Sequence, residues 1–291
     1  MPIMPPTCSW EAHVNYELLF SGGGTANTAA AILGALYNPA PASTAVTTGN
    51  PITDLKLAQA NQAGAVAKEA KLPEVARDIA LFQKGIGRAT SIQGALSDPN
   101  VMKVLLTANN LSRYITTPAL ARKALLSDPS DPKSLVNQLG DSALLSAART
   151  YNFAKNGLTG LAKPQVRGAL GDAYAEVLWR QSLDAATPGL ANALTFMGQA
   201  KQIAKVDDIL GDQTNRAVVL TALGIPQQIA FQTLPTQEAA VAARVRIADF
   251  QKPAFVQGLT DQYLLHAAKQ AQAASGTATL SLFTRGTGLL V

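Results

Sequence analysis

Cysteine is nearly missing from this chain: Cys8 stands alone among 291 residues. That excludes an intramolecular disulfide and any cysteine cluster holding zinc, so the fold forms without covalent staples. Aromatic residues make up only 5%, and the core has to be filled by Leu, Ile, Val and Ala. Small and branched aliphatic side chains of that kind favour closely packed helices over a sandwich of aromatic and β-branched strands. Histidine is as scarce, with His13 and His266 the two examples. Long apolar runs are lacking too. Ala29–Leu36 falls far short of the roughly 18 residues needed to cross a bilayer, so no membrane span is expected. No base precedes Lys56, while Glu11 and Glu17 are acidic, which argues against a secretory signal with its positively charged start.

The charge that is present is spread thinly. Residues 1–50 carry two acids and no bases, and the remainder holds 24 bases against 17 acids, a net of +7. The densest basic points are Arg122–Lys123 and the pair Arg244 and Arg246. Nucleic-acid binders gather charge on one face and interleave it with stacking aromatics. Neither pattern is visible, so these bases read as a solvated helical surface and no nucleic-acid partner is expected.

The chain divides by composition. Residues 1–50 form a low-complexity segment, with a proline-rich start, the run Ser21-Gly22-Gly23-Gly24-Thr25 and the stretch PAPASTAV from Pro39 to Val46. Residues 51–160 and 161–274 read as two helical modules, and 275–291 as a Gly/Thr-rich tail ending in Leu289-Leu290-Val291. Within the modules the periodicity is helical: Val75, Ile79, Phe82 and Ile86 recur at spacings that place them on one helix face. Four helix starts are marked by a short polar residue before proline, at Asp98-Pro99, Thr117-Pro118, Asp131-Pro132 and Thr187-Pro188. Gly224 and Pro226 mark a stop. The nearest approach to a period-two strand is Thr277–Phe283, inside the tail. The predicted fold is all-α.

An internal repeat is the most specific signal. At a shift of 114, Phe82, Leu96 and Asp98 fall on Phe196, Leu210 and Asp212, and Val104, Leu106, Thr107 and Ala108 on Val218, Leu220, Thr221 and Ala222. At a shift of 120, Leu139, Asp141, Leu144, Leu145, Ala147 and Ala148 meet Leu259, Asp261, Leu264, Leu265, Ala267 and Ala268. The first copy reads LSDPNVMKVLLTANNL, then KALLSDPSDPKSLVNQLGD, then ARTYNFAKNGL; the second reads ILGDQTNRAVVLTALGIP, then RIADFQKPAFVQGLTDQYLL. In these segments the chain resembles the bacterial domain-of-unknown-function family numbered twelve-seventeen, over roughly Asp54–Ala271. The second copy departs by losing the proline after Asp212 and the Tyr-Asn-Phe ending. The resemblance implies an all-helical fold in tandem copies and a flagellar association, and it carries no catalytic residue.

The candidate chemistry dissolves residue by residue. Gly140-Asp141-Ser142 has the look of an esterase nucleophile block, but a serine nucleophile needs a histidine base and an oxyanion hole. Asp141 matches Asp261 across the repeat, whereas Ser142 matches Gln262, so a structural Asp on a helix is the expectation. Ser21–Thr25 lacks the lysine of a phosphate loop. Asp207, Asp208 and Asp212 lack the spacing and terminal Glu of a calcium loop, and Asp212, like Asp98, reads as a helix cap. His266 reads as a partly exposed helix residue and Trp179 as core. No cofactor, metal or catalytic residue is expected.

What remains is binding. The expected function is a non-enzymatic structural or assembly protein, flagellum-associated, that binds protein partners or itself as an oligomer or filament. The candidate interface residues are Leu18, Leu19, Phe20, Ile32, Leu33, Leu282 and Phe283, apolar side chains on segments with poor cover of their own. The location is either cytoplasmic or at a cell-surface assembly such as the flagellum, reached by a non-Sec route. The alternative is a cytoplasmic adaptor or chaperone-like module with a groove between its two copies.

Overall fold

A computed structural model of the chain describes the backbone of residues 48–286 and the side chains of 48–273. The described part is helical, and no strand occurs among the described residues. The predicted all-α fold is the fold observed. The candidate interface residues Leu18, Leu19, Phe20, Ile32 and Leu33 lie outside the described residues.

The first half of the described chain runs α1 (Pro51–Glu69), α2 (Pro73–Arg88), α3 (Ile92–Ala95), α4 (Pro99–Ala108), α5 (Pro118–Leu126), α6 (Leu135–Gln138), α7 (Ser142–Tyr151), α8 (Phe153–Asn156) and α9 (Thr159–Ala162). The second runs α10 (Pro164–Asp184), α11 (Leu190–Gln199), α12 (Val206–Leu210), α13 (Gln213–Ala222), α14 (Leu234–Ala242) and α15 (Pro253–Gly286). The starts follow the chemistry of the residues before them. Asn50 accepts the amides of Ile52 and Thr53, with Pro51 at the first position of α1. Asp98 accepts the amides of Asn100 and Val101 at the head of α4, and Asp212 accepts that of Asn215 at the head of α13. Both expected caps are therefore caps.

Two of the expected starts are displaced, each because its polar side chain is used elsewhere. Asp131 accepts the amide of Lys133 in a local turn, and the next helix waits until Leu135. The Thr187 hydroxyl donates to Asp54 across the fold at 2.7 Å, so the helix opens at Leu190, behind Gly189 at φ 88°. At the other end, the backbone of Thr277–Phe283 is helical within α15. Its alternating pattern loses to the Ala-rich helix running into it, which meets no proline to stop it.

Two cores form. Phe82, Val104, Leu106, Leu125, Leu144 and Phe153 anchor the first; Phe196, Ile209, Val218, Leu220, Phe250 and Leu264 anchor the second. The two longest connecting helices serve both. Helix α10 gives Leu170, Tyr174 and Ala175 to the first core and Trp179 and Leu183 to the second, while α1 sends Leu55 and Ala58 into the second. Gly171 lets α10 cross close over Ile79, where an added Cβ would meet the Ile79 side chain at 3.3 Å. With so few aromatics, their placement matters: Phe250 meets Phe196 and Phe255 edge to face at 6.3 and 5.6 Å.

Two stretches 114 residues apart share an outline. Helices α4 and α13 begin one residue after Asp98 and Asp212 and end at Ala108 and Ala222. Each is closed by a left-handed residue, Asn110 at φ 58° and Gly224 at φ 63°. The amides of Leu111 and Ile225 then return to the carbonyls of Leu106 and Leu220, both at 2.8 Å. The correspondence thins further on: Asp141 heads α7, whereas Asp261 lies inside the continuous α15.

Candidate functional site

The loop before α7 builds the most elaborate polar node among the described residues. Gly140, at φ 63°, turns the chain out of α6, and Asp141 follows in extended backbone. One Asp141 oxygen, Oδ1, accepts the Leu144 amide at 3.0 Å as the cap of α7. The other, Oδ2, accepts the Tyr114 hydroxyl at 2.7 Å, Arg113 Nε at 3.2 Å and a closer bond from Arg113 Nη2. The Arg113 guanidinium also lies 5.1 Å from the centre of the Tyr114 ring. Burial disfavours the Arg113 charge, but the bond and charge of Asp141 outweigh it and hold the guanidinium more firmly protonated. Burial, together with Asp141, pushes the Tyr114 phenol up. Both carboxylate oxygens are committed, and Asp141 is structural.

Beside this node the halves touch backbone to backbone, the Ser142 amide donating to the Gly211 carbonyl at 3.3 Å. A Cβ on Gly211 would stand 2.9 Å from the Gly140 carbonyl oxygen, so glycine is what admits the approach. Over this seam opens a cleft of about 540 Å³. Its apolar walls come from Val136, Leu145, Leu210 and Leu234, and its polar ones from Arg149, Lys205, Asp207, Asp208, Arg216 and Gln237.

Most of the cleft's charges are already matched. Asp208 accepts the amides of Ala204 and Lys205 at 3.0 and 3.1 Å, closing the first turn of α12. Lys205 binds Asp207 at 2.9 Å. The bond from Lys205 holds the Asp207 carboxyl low, and a second hydrogen bond, to Glu238 of α14, adds to this. The same bond pushes the Glu238 carboxyl up. Arg149 and Arg216 differ. Neither has a carboxylate partner among the described residues, and Arg149 stands near enough to Lys205 to oppose its charge. The cleft thus offers two unmatched guanidinium groups beside an aliphatic lining.

A second hollow, about 510 Å³, lies between α7 and α10. Tyr151 and Asn109 pair within it at 3.1 Å, and Lys163 is its single charge. It grows from the Tyr-Asn-Phe ending: Asn152 takes a left-handed conformation at φ 41°, which stacks Tyr151 on Phe153 at 5.3 Å. Neither hollow brings together a nucleophile, a base and an oxyanion hole. His266 is exposed on α15. No group of three or more His, Cys, Asp or Glu side chains suited to a metal occurs among the described residues. Nor is any described helix long and apolar enough to cross a membrane.

Of the candidate interface residues, Leu282 and Phe283 lie on the last turns of α15. Sequence reasoning missed an exposed apolar pair inside the fold. Phe231 is 89% exposed and Leu234 53% exposed, at the turn leading into α14. A signal for it was present, because Ala217–Gln237 carries no charged residue. Nothing local in the sequence marks Arg113 and Tyr114 as partners of Asp141, since they lie 28 and 27 residues away.

A family model described as a protein of unknown function, DUF1217, matches residues 108–256, about half of the chain. No curated protein matches. The X-ray crystal structure of protein AGR_C_984 from Agrobacterium tumefaciens is similar, with a TM-score of 0.66 and 23% sequence identity. The match covers 79% of this chain and 98% of that one. At that identity the likeness establishes a shared fold.

Proposed function

Starting from the chain's membership of the DUF1217 family of proteins of unknown function, we propose that it is a non-enzymatic structural or assembly protein that binds protein partners, or further copies of itself, through helical faces and apolar termini. The observation that supports this most is the exposed Phe231 and Leu234 on a stretch without charges. Interface centres are depleted of charge and enriched in aromatics, and a solvated monomer surface gains nothing from an exposed Phe. The flagellar setting implied by the family resemblance belongs to the same proposal, as does non-Sec export; the cytoplasm is the other location it allows.

The test removes residues 1–47 and, separately, 275–291, leaving the Asn50 cap in place. Thermal melting is followed by circular dichroism and assembly by light scattering. Retained melting with lost assembly supports the proposal. Melting of the core by both deletions, with a full-length chain that never self-associates or holds a partner, sinks it. Recovery of the chain in purified flagellar filaments or basal bodies, against its absence there, tests the flagellar part.

One observation favours the second reading, an adaptor with a groove between two copies: the cleft lies where the two halves meet. That reading includes descent of the halves from a duplicated module. The matched limits of α4 and α13 and the paired returns after Asn110 and Gly224 support it.

A further inference from the structure

We propose that the cleft over the Gly140–Gly211 seam is a docking site for an acidic, apolar-bearing segment of a partner protein, its carboxylates received by Arg149 and Arg216. The proposal deepens the protein-binding reading and rests on it. Charge is the first argument. Lys205 is matched by Asp207, Arg113 by Asp141, and Asp208 by two backbone amides. Arg149 comes from the first half and Arg216 from the second, and neither meets a carboxylate. Cations converging on one cleft are mutually unfavourable until an anion enters, and guanidinium groups bind carboxylates in the geometry of a fork.

Shape selects a polypeptide over a small anion. Much of the lining of the cleft is aliphatic, from Val136, Leu145, Leu210 and Leu234, and offers nothing to a fully hydrated ion. The apolar surface does not stop at the rim. Leu234 is 53% exposed, and Phe231, at 89%, stands three residues before it. Gln237 on the cleft wall donates to the Gln232 carbonyl at 2.9 Å, tying this turn to the site. An occupant long enough to use both the guanidinium groups and the Phe231 surface is a chain segment with acidic and apolar residues on one side. About 540 Å³ holds a few such side chains, within the range of specific sites.

The experiment selects short random peptides from a display library on the full-length chain. The double variant Arg149→Glu with Arg216→Glu serves for counter-selection, and enriched peptides are measured by fluorescence anisotropy. Enriched sequences are expected to combine Asp or Glu with Leu or Phe and to bind more weakly as salt rises. They should lose at least about tenfold in affinity against the double variant. Phe231→Ser should weaken them too, and both variants should melt like the parent. Enrichment of neutral or basic peptides, affinity unchanged in the double variant, or complete displacement by millimolar inorganic phosphate would each overturn the proposal. No saturable peptide would do the same. In each of those cases loss of assembly on terminal deletion can still stand, so failure of the cleft and failure of the assembly reading are told apart.

Discussion

The stretches around α4 and α13 share an outline, and the positions that correspond across the two halves differ in how they treat polar groups. In the first, Asp78 is 8% exposed and accepts Lys103 Nζ at 2.6 Å and the Tyr174 hydroxyl at 2.7 Å. At the position 114 residues later stands Asn192, whose amide donates to the Tyr263 hydroxyl at 3.2 Å, with no charge in the pair. In the first, Asp141 is held by Arg113 and Tyr114; at the shifted positions Gln227 and Gln228 replace them, and Asp261 takes only a bond from Gln257. In the first, Gly85 packs bare against Asp98, whereas Gln199 in its place donates to Asp212 at 3.0 Å. The lesson is that corresponding positions accept charged or neutral connectors, and each of the side chains named here keeps a partner.

The comparison is broken most forcefully at its strongest point of likeness. Phe82 and Phe196 are both fully buried, each at the centre of its own core. Replacing either by Ala is expected to cost about 3–5 kcal/mol, from lost transfer energy and the cavity left behind. Equilibrium urea unfolding of both variants checks this. A loss below about 1 kcal/mol at one site would mean that the halves do not share a core position.

The next largest effect comes from making the first half imitate the second. Burial raises the Asp78 carboxyl, but the bonds from Lys103 and Tyr174, with the charges of Lys103 and Arg77, outweigh it and leave the group below its ordinary value. A lowered folded-state value means stability that is present above the unfolded carboxylate range and lost as pH falls through the folded value. Asp78→Asn is expected to cost about 1–3 kcal/mol near neutrality. The deficit should shrink below about pH 4, where an unfolded Asp takes up its proton. Denaturation at several pH values reads it directly. A deficit independent of pH would show that the charge of Asp78 contributes nothing.

These contrasts also show what was legible beforehand. Helix identity, the Val75–Ile86 face, the caps at Asp98 and Asp212 and the stop at Gly224 are local matters of period and capping, written in consecutive residues. The start at Asp131 and the strand-like pattern of Thr277–Phe283 were lost to local competitors, whereas two other failures have a long-range cause. Thr187 looked like a cap and instead bonds Asp54, 133 residues away, and a side chain used at long range leaves no local trace. The cleft is illegible for the same reason: Arg149 and Arg216 become one site through the seam between Ser142 and Gly211. The exposed Phe231 was readable from its charge-free surroundings.

A smaller effect sharpens the comparison at the caps. Asp98→Ala and Asp212→Ala are each expected to cost about 0.5–2 kcal/mol. Asp212 should cost more, because it is the more buried of the two and its loss also removes one of the two acceptors of the Gln199 amide, Asn215 being the other. Peptide binding at the cleft should survive the Asp98 change. Matched melts of the two variants decide the order, and a costlier Asp98 would show that Gln199 adds nothing.

The last comparison concerns why α6 and α7 are two helices where α15 is one, and its effect is of the same order as at the caps. Gly140 holds φ 63°, a conformation that a Cβ resists and a β-branched side chain resists most. Its counterpart at the shift of 120, Thr260, is fully buried in helix and returns its hydroxyl to the Val256 carbonyl at 2.7 Å. Gly140→Thr therefore sets two outcomes against each other. Either the left-handed turn is kept under strain, or α6 and α7 straighten and Asp141 leaves Arg113 and Tyr114. Both are unfavourable, and the expected loss is about 1–2 kcal/mol. Gly140→Asn should lose only a few tenths of that scale, because Asn tolerates the left-handed region, as Asn110 does at φ 58° where Gly224 serves in the second half. Chemical denaturation with near-ultraviolet circular dichroism of the tyrosines separates the cases. Equal losses for Thr and Asn would show that the turn's handedness is not what divides the helix, and the contrast between Gly140 and Thr260 would then need another cause.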